Sequence, residues 1–225
     1  PRDAFVEDRP YDNRAGDHAG TDVLAPRTVA RLLEALAVED GNETLVVGVG
    51  VGYTAALLAE LVGERHVHAV DIARRLVLDA RRNLGQAGYE GVLVDRRDGA
   101  DGLPEYAPFD RVLVEASAVR PPRALLDQLT PDGRLVMPLG TPEGTLAAVE
   151  VGDSPEGYAV VEEFGSVALA PLLVDGEQAG GVTRNRTERE DREFAEQGYF
   201  APTGWEHEWI DWDDRLDGGR GHRRR

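Results

Sequence analysis

The fold is decided by the stretch LVVGVGVGY, which occupies residues 45–53. It begins with a run of aliphatic, partly β-branched residues, a pattern typical of a buried parallel strand. Glycines then stand at positions 48, 50 and 52, and glycine lets a backbone turn tightly and approach a ligand closely. The apolar residues of Tyr53–Val62 recur at helical spacing. The stretch therefore predicts a strand, a glycine turn and a helix in that order.

An acidic residue follows the next predicted strand. Asp71 lies 19 residues after Gly52, at a position where a carboxylate can accept hydrogen bonds from both hydroxyl groups of a ribose. The glycine turn and this acid together predict a bound nucleoside cofactor. The candidate cofactor-binding residues at these two strand ends are Gly48, Val49, Gly50, Gly52, Tyr53, Asp71 and Ile72.

The spacing of the glycines indicates which nucleoside cofactor binds. A dinucleotide site requires Gly-x-Gly-x-x-Gly, whereas here Tyr53 occupies the third glycine position and Gly52 comes one residue early. The pattern therefore favours S-adenosyl-L-methionine over a cofactor that contains a pyrophosphate. Asp98 and Gly99 follow the third predicted strand, where a carboxylate suits the amino group of adenine. Because Asp-Gly pairs are also common in surface turns, both interpretations of Asp98 stay open.

Short apolar runs alternate with amphipathic stretches from about residue 28 to 140, which predicts an α/β fold with a doubly wound, Rossmann-like and mostly parallel sheet. The predicted strands are Thr44–Val47, Val67–Val70, Val92–Val94, Val112–Val114 and Leu135–Met137. The predicted helices are Tyr53–Val62, Ala73–Leu84 and Pro122–Leu129. Two further strands, Thr145–Val151 and Tyr158–Ala170, have no helix between them. They predict a C-terminal antiparallel hairpin.

The composition is acidic. The chain has 225 residues, with 42 Asp and Glu against 25 basic residues, all of them Arg, and a formal net charge of −17. This charge disfavours nucleic acid as a partner. The lack of Cys excludes disulfides and thiolate chemistry. A dense carboxylate surface without Lys is expected of a halophilic protein. The alternative is an ordinary acidic protein whose lack of Lys reflects base composition.

The two ends of the chain differ from this core. Residues 1–27 are rich in Asp, Arg and Gly, and we expect them to be either disordered or a lid over the substrate and cofactor. They belong to a predicted cofactor-binding domain, 1–174. Residues 175–225 form an acidic extension that carries all three tryptophans, and its last residues are expected to be disordered. No apolar run is long enough to span a membrane, and a cytoplasmic protein is expected.

The stretch Gly48–Gly63 resembles the cofactor motif of the protein-L-isoaspartate O-methyltransferase family. Further segments up to about residue 173 resemble it too, namely PRDAFV at residues 1–6, Asp98-Gly99, Pro108–Arg111 and Gly133–Gly140. The resemblance implies the class I methyltransferase fold, with the methionine part of the cofactor over the glycine turn, the ribose on Asp71 and the adenine near Asp98. It also implies an isoaspartyl-containing protein or peptide as the methyl acceptor in protein repair, and S-adenosyl-L-homocysteine as the product.

The chain departs from the family at the loop expected to face the acceptor. Where the family has Thr-Ile-Ser-x-Pro, this chain has Asp-Val-Leu-Ala-Pro at residues 22–26, so Leu24 replaces a hydroxyl that the family places at the reacting carboxylate. Asp22 would repel a carboxylate substrate, unless Thr21 supplies the missing donor. No catalytic residue is assigned; Thr21, Asp22 and Leu24 are the candidate positions, and isoaspartyl methylation is expected to be weak or absent.

A second departure lies at the cofactor's charged amino end. The family usually has Glu two residues before the first glycine, where this chain has Val46, so one anchor is missing. Glu115, at the end of the fourth predicted strand, is the candidate replacement. His18 is the histidine placed to act near the substrate, although a lone His in an acidic loop is more commonly just solvated. The histidines have no metal-ligand spacing with acids, so no metal is expected.

Three functions are compatible with these residues. The first is isoaspartyl carboxyl methylation, implied by the resemblance. The second is methylation of another substrate by the same fold, because the cofactor half follows the family more closely than the acceptor loop does. The third is a non-catalytic protein that binds the cofactor or, through its acidic tail, a partner. The sequence leaves the oligomeric state open.

Overall fold

The computed structural model describes residues 2–140, 144–152 and 154–173. The expected C-terminal extension, 175–225, lies outside the described residues, so its tryptophans and its boundary at residue 174 stay predictions. No helix in the described ranges is both long enough and apolar enough to cross a membrane.

The helices are α1 (Pro26–Leu36), α2 (Tyr53–Val62), α3 (Arg74–Ala87) and the short α4 (Arg123–Leu126). The strands are β1 (Gly16–His18), β2 (Thr21–Val23), β3 (Thr44–Val47), β4 (Val67–Asp71), β5 (Leu93–Arg96), β6 (Phe109–Val114), β7 (Leu129–Leu139), β8 (Gly144–Val151) and β9 (Tyr158–Val167). β1 and β2 form a separate antiparallel pair, and the other seven strands form one sheet in the order β5-β4-β3-β6-β7-β8-β9.

The large sheet has the predicted topology. Its strands β3 to β7 pair in parallel, while β8 runs antiparallel to both β7 and β9. The α/β class, the mostly parallel sheet and the C-terminal antiparallel hairpin are therefore confirmed. Chain order runs outward from β3 in one direction and from β6 in the other. The carboxyl ends of β3 and β6 consequently form the crevice where ligands bind in open α/β sheets.

The two faces of the sheet are covered unequally. On one face the core contains Leu32 of α1, Leu58 of α2 and Leu84 of α3, all buried. The core of the other face contains Leu103 from a connecting loop and Leu125 from α4. Three full helices thus cover one face, while the other is closed by shorter elements.

Two predicted helix ends are displaced. The helix predicted over Pro122–Leu129 is helical only at Arg123–Leu126, because Gln128 already accepts a backbone bond from Phe109 and Leu129 starts β7. The end of α3 was predicted at Leu84, yet the helix continues to Ala87. The helix ends at Gly88, whose φ of 89° lies in the left-handed region, a conformation that glycine adopts without strain.

The N-terminal segment packs onto the body of the domain. Phe5 and Val6 are 1% and 2% exposed and belong to the core on the helix-covered face. The Arg2 guanidinium donates to four backbone carbonyl oxygens, those of Pro10, Asp12, Arg14 and Leu24. These contacts join residues 2–24 to one another and to the core. The role of this segment as a lid stays a prediction.

Candidate functional site

The glycine turn, Gly48–Gly52, leaves β3 at the crevice and opens α2. Its three glycines have φ values of 86°, 54° and 95°, which lie in the left-handed region that favours glycine. The backbone N–H groups of Gly48 and Val49 both donate to Val70 O, at 2.9 and 3.0 Å. The turn is therefore fixed by main-chain bonds to the end of β4.

The two sides of the turn have different surroundings. A Cβ added at Gly52 would lie 3.2 Å from Leu84 Cγ and 3.4 Å from the Ala80 Cα, so this glycine allows α2 and α3 to pack closely. A Cβ added at Gly50 would meet nothing within 4 Å. The N-terminus of α2 also has no side-chain cap, which leaves backbone N–H groups for a ligand. The open side at Gly50 fits a bound nucleoside cofactor.

Asp71 is joined directly to this turn. Its Oδ2 accepts a hydrogen bond from Gly50 N at 3.0 Å, and its Oδ1 accepts one from Ala73 N at 2.9 Å. Burial raises the pKa of the Asp71 carboxyl, while the N–H bonds from Ala73, Gly50 and Ile72 act in the opposite direction. An ionised carboxylate has about four acceptor positions, and these three N–H groups occupy three of them, so about one position is left for a ribose hydroxyl.

The segment after β5 reaches the same edge of the sheet. Gly99 is packed so closely against β3 that a Cβ there would clash with the Val47 side chain. Asp98 Oδ1 accepts a hydrogen bond from Ala100 N at 2.9 Å, which is a local turn contact. The structure therefore brings Asp98 and Gly99 to the end of β3, and their contact with adenine stays a prediction. Ile72, next to Asp71, is half-buried, and its carbonyl oxygen accepts from Arg96 Nε at 3.2 Å.

Glu115 directly follows β6 on the other side of the glycine turn. Its backbone N donates to Val47 O at 2.8 Å, and a Cβ on Gly48 would lie 3.7 Å from Glu115 Cβ. Burial raises the pKa of the Glu115 carboxyl to about 7, and the negative Asp71 adds to this, while a hydrogen bond with the Thr54 side chain opposes it. The structure thus places this predicted residue beside the first glycine.

The N-terminal hairpin, which we define as residues 16–26, lies against α3 next to the turn. Arg75 donates to Ala19 O at 2.9 Å and to Thr21 Oγ1 at 2.6 Å. The Asn83 amide nitrogen lies 3.1 Å from Val51 O and 3.3 Å from His18 Nε2. Asn83 therefore connects the glycine turn to His18, which is half-buried instead of freely solvated.

The three loop candidates have different environments. The Thr21 hydroxyl is engaged by Arg75. Asp22 is exposed and stands opposite Asp17 in the β1–β2 pair. Leu24 packs against the core of the helix-covered face. Only an apolar side chain is therefore present at the position where the family has a hydroxyl.

The aromatic ring of Tyr53, a predicted cofactor contact, belongs to the boundary between α2 and the N-terminal segment. It lies 5.9 Å from the Phe5 ring and 5.2 Å from the Arg2 guanidinium, measured between centres. Together with Tyr11 and Tyr89, it lines a cavity of about 300 Å³ whose lining does not include Asp71. Within the described ranges, no three His, Cys, Asp or Glu side chains group together in a way that could hold a metal ion.

Sequence reasoning missed three residues that organise this region: Arg2, Thr54 and Asn83. A signal existed for Asn83, because an amide interrupts the core-facing stripe of α3 that contains Ala80 and Leu84. Thr54, at the start of α2, had a weaker signal. No signal marked Arg2, since it is one of 25 arginines and its partners are main-chain carbonyl oxygens, which leave no mark in the sequence.

Comparison with known proteins identifies the family. A sequence model of the protein-L-isoaspartate(D-aspartate) O-methyltransferases matches residues 1–178. A relative from Methanocella arvoryzae named protein-L-isoaspartate O-methyltransferase is 38% identical over 179 residues, which cover 77% of this chain and 94% of the relative. One of the same name from Aeropyrum pernix is 41% identical over 157 residues, 68% of this chain. The match spans only 60% of the Aeropyrum protein's own length.

Solved structures agree in fold. A protein-L-isoaspartate O-methyltransferase superposes with a TM-score of 0.65 at 23% identity, covering 85% of this chain and 62% of the other. A Plasmodium falciparum protein, described as a candidate member of the same class and solved with S-adenosyl-L-homocysteine, gives 0.62 at 21% identity, covering 76% and 85%. These likenesses, the matched family model and the sheet topology agree with the resemblance that the glycine turn indicated. The chain belongs to the protein-L-isoaspartate(D-aspartate) O-methyltransferase family.

Proposed function

We propose that this protein transfers a methyl group from S-adenosyl-L-methionine to isoaspartyl carboxylates of damaged proteins or peptides. One observation carries the proposal: in a chain of this family, Asp71 accepts a hydrogen bond from Gly50 of the open glycine turn at the carboxyl edge of the sheet. That arrangement brings a ribose acceptor and a closely approachable backbone to the same place.

The roles of the cofactor-side residues follow from their positions. Backbone groups of Gly48, Val49, Gly50 and Gly52 would hold the methionine part, Asp71 with Ile72 the ribose, and Asp98 with Gly99 the adenine. Tyr53 would close the turn on the side of the N-terminal segment. When bound, the cofactor supplies an electrophilic methyl group on a sulfonium.

The task of the protein is chiefly alignment. A carboxylate acceptor is already ionised at neutral pH, so a general base is not required. The residues around the turn must place the acceptor oxygen in line with the methyl group and exclude water. The N-terminal hairpin is suited to this task because Asn83 ties it to the glycine turn.

A second candidate function is methylation of a different acceptor by the same site. The observation that favours it is Leu24, an apolar side chain at the position of the family's hydroxyl. An isoaspartyl carboxylate would lack one hydrogen-bond donor there, whereas a less polar acceptor would not need it. For this reason we expect the isoaspartyl activity to be slow.

The test is methyl transfer to a pair of peptides that differ only in one residue, isoaspartate or aspartate. Label from methyl-labelled cofactor should appear in the isoaspartyl peptide as a base-labile ester, and not in the aspartyl peptide, in molar KCl. Equal labelling of both peptides, or labelling of another acceptor alone, would favour the second candidate. An absence of any transfer together with an absence of cofactor binding would contradict both.

We also propose that the protein works at high ionic strength, in the cytoplasm. The support is the net charge of −17 with no Lys, since salt screens the repulsion among many surface carboxylates. The salt dependence of stability tests the first part, and fractionation of the source cells tests the second.

A further inference from the structure

Glu115 occupies the point where the sheet changes direction. Its N–H bond to Val47 O extends the pairing of β3 and β6 one step beyond their ends. Since Val46 pairs with Leu113 and side chains alternate along a strand, residue 115 lies on the same sheet face as Val46. That face carries α2, whose Thr54 hydrogen-bonds the Glu115 carboxyl. The carboxyl group therefore lies beneath the glycine turn.

The carboxyl group of Glu115 is only partly satisfied. Part of the residue is exposed, but its Oε1 atom is shielded from solvent and accepts no hydrogen bond in the described part of the chain. Its electrostatic neighbour Asp71 is an acid as well. A shielded carboxylate oxygen without a partner is unfavourable, and a second negative charge nearby makes it more so. A bound cation would relieve both problems.

We propose that Glu115 binds the ammonium group at the amino-acid end of a ligand held over the glycine turn. On the proposed function, upon which this inference rests, that group is the α-amino group of S-adenosyl-L-methionine or S-adenosyl-L-homocysteine. The turn is open at Gly50 and adjoins Glu115 at Gly48, so the same ligand can lie along the turn and reach the carboxylate. Glu115, which follows β6, then supplies an acidic side chain on the sheet face that carries Val46 of β3.

This arrangement makes ligand binding depend on pH. The groups that act on the Glu115 carboxyl are Asp71 from β4, which raises its pKa, and Thr54 from α2, which lowers it; burial raises it most, to about 7. Below this pH the carboxyl is protonated and neutral, and it attracts an ammonium weakly. Affinity for a ligand with the amino group should therefore increase as the pH rises through 7.

The experiment compares two ligands by calorimetry. S-adenosyl-L-homocysteine carries the amino-acid end, and 5′-methylthioadenosine lacks it while keeping the adenosine. In Glu115→Gln, which keeps the shape and removes the charge, the first ligand should bind about 10- to 100-fold more weakly, as for a lost bond to a charged group. The second should bind as it does to the wild type. Glu150→Gln is the matched control, because Glu150 on β8 is a half-buried acid that forms an ion pair with Arg134 on β7.

A second measurement needs no variant. Between pH 5.5 and 7.5, the wild-type affinity for S-adenosyl-L-homocysteine relative to 5′-methylthioadenosine should rise about 6- to 20-fold, since a carboxyl with a pKa near 7 changes from mostly neutral to mostly ionised and the neutral form should bind about 10- to 100-fold more weakly. In Glu115→Gln the ratio should stay flat.

Three results would overturn the inference. Equal weakening of both ligands by Glu115→Gln would mean that Glu115 only supports the turn. Unchanged binding of both, with a flat wild-type ratio, would mean that water satisfies Oε1. Failure of the wild type to bind either ligand would instead refute the proposed function, and the ammonium site with it.

Discussion

The glycine turn and the N-terminal hairpin lie side by side but are held in different ways. The turn is fixed by main-chain bonds from Gly48 and Val49 to Val70 O and by a bond from Gly50 N to the carboxylate of the neighbouring Asp71. The hairpin is held by long side chains, above all Arg2 and Arg75. A structure built from main-chain bonds depends on a short local motif. A segment that is held by side chains from other parts of the chain can change its exposed residues without losing its shape.

On the proposed function, this difference bears on how easily exposed residues of the two regions can be replaced. Substitution at Gly52 would strain a left-handed backbone and press on Leu84, so the cofactor side tolerates little change. Asp22 is exposed on the hairpin, and a new side chain there disturbs no core contact. An exposed position of the hairpin can therefore change more freely than Gly52 of the turn.

The largest effect should come from removing the support of the N-terminal segment. Arg2→Met deletes the donors to four carbonyl oxygens, and we expect residues 2–26 to lose at least about 3 kcal/mol of local stability, since bonds to charged groups contribute about 1.5–3 kcal/mol each and do not add fully. Hydrogen exchange should show lost protection in this segment and retained protection in β3 and β4. Binding of 5′-methylthioadenosine should persist.

Arg9→Met is the control, because Arg9 is exposed and its ion pair with Asp12 spans 3.9 Å. If Arg2→Met abolished nucleoside binding as well, the two regions would not be independent and the comparison would fail.

The next effect concerns the turn itself. Asp71→Ala should weaken S-adenosyl-L-homocysteine binding by about 1.5–3 kcal/mol, the usual loss for hydrogen bonds to a charged group. It also leaves the N–H groups of Gly50 and Ala73 without their acceptor. Calorimetry measures the loss, with Asp40→Ala in an exposed loop as the control. Equal affinity in Asp71→Ala and the wild type would remove the ribose assignment.

Much of the cofactor side could be predicted from the sequence. The glycines, the second-strand acid and the apolar runs are local patterns, and the glycines in particular indicate a left-handed backbone that few other residues adopt. The position of Asp71 beside Gly50 follows once β3 and β4 are parallel neighbours. Glu115 was predictable for the same reason, because it ends the strand on the other side of β3.

The hairpin could not be predicted in this way. Its contacts join Arg2 to Leu24, Arg75 to Thr21 and Asn83 to His18, over 22, 54 and 65 residues of chain. Arginine and asparagine at these positions have no periodicity that distinguishes them from surface residues. Long-range contacts also hold Gln128, just after α4, because its side chain bonds the backbone of Leu103 and Asp101.

The acceptor loop provides a direct chemical test. Leu24→Ser together with Asp22→Thr restores a hydroxyl and removes a like charge, and isoaspartyl turnover should rise about 10- to 100-fold if that donor bond forms in the transition state. The measurement is kcat and KM on an isoaspartyl peptide. Leu24→Val with Asp22→Thr is the control, since it has no hydroxyl at position 24.

Fast turnover by the unmodified chain would contradict this expectation. It would indicate that another donor, such as the Thr21 hydroxyl that accepts from Arg75, serves the acceptor carboxylate.

The smallest effect should come from salt, and it should act mainly on the hairpin. Asp17 and Asp22 face each other across β1 and β2, whereas the glycine turn is held by main-chain bonds and by the buried Asp71 carboxylate, which salt screens much less. Asp22→Thr should stabilise the hairpin by about 0.2–1 kcal/mol in dilute buffer. The gain should vanish in molar KCl, where the screening length falls to about 3 Å. Glu90→Gln, which neutralises an exposed acid after α3, controls for the change in net charge.

The wild-type thermal midpoint should likewise rise with KCl. An identical midpoint in dilute buffer and in molar KCl would show that the charge of −17 is not an adaptation to salt.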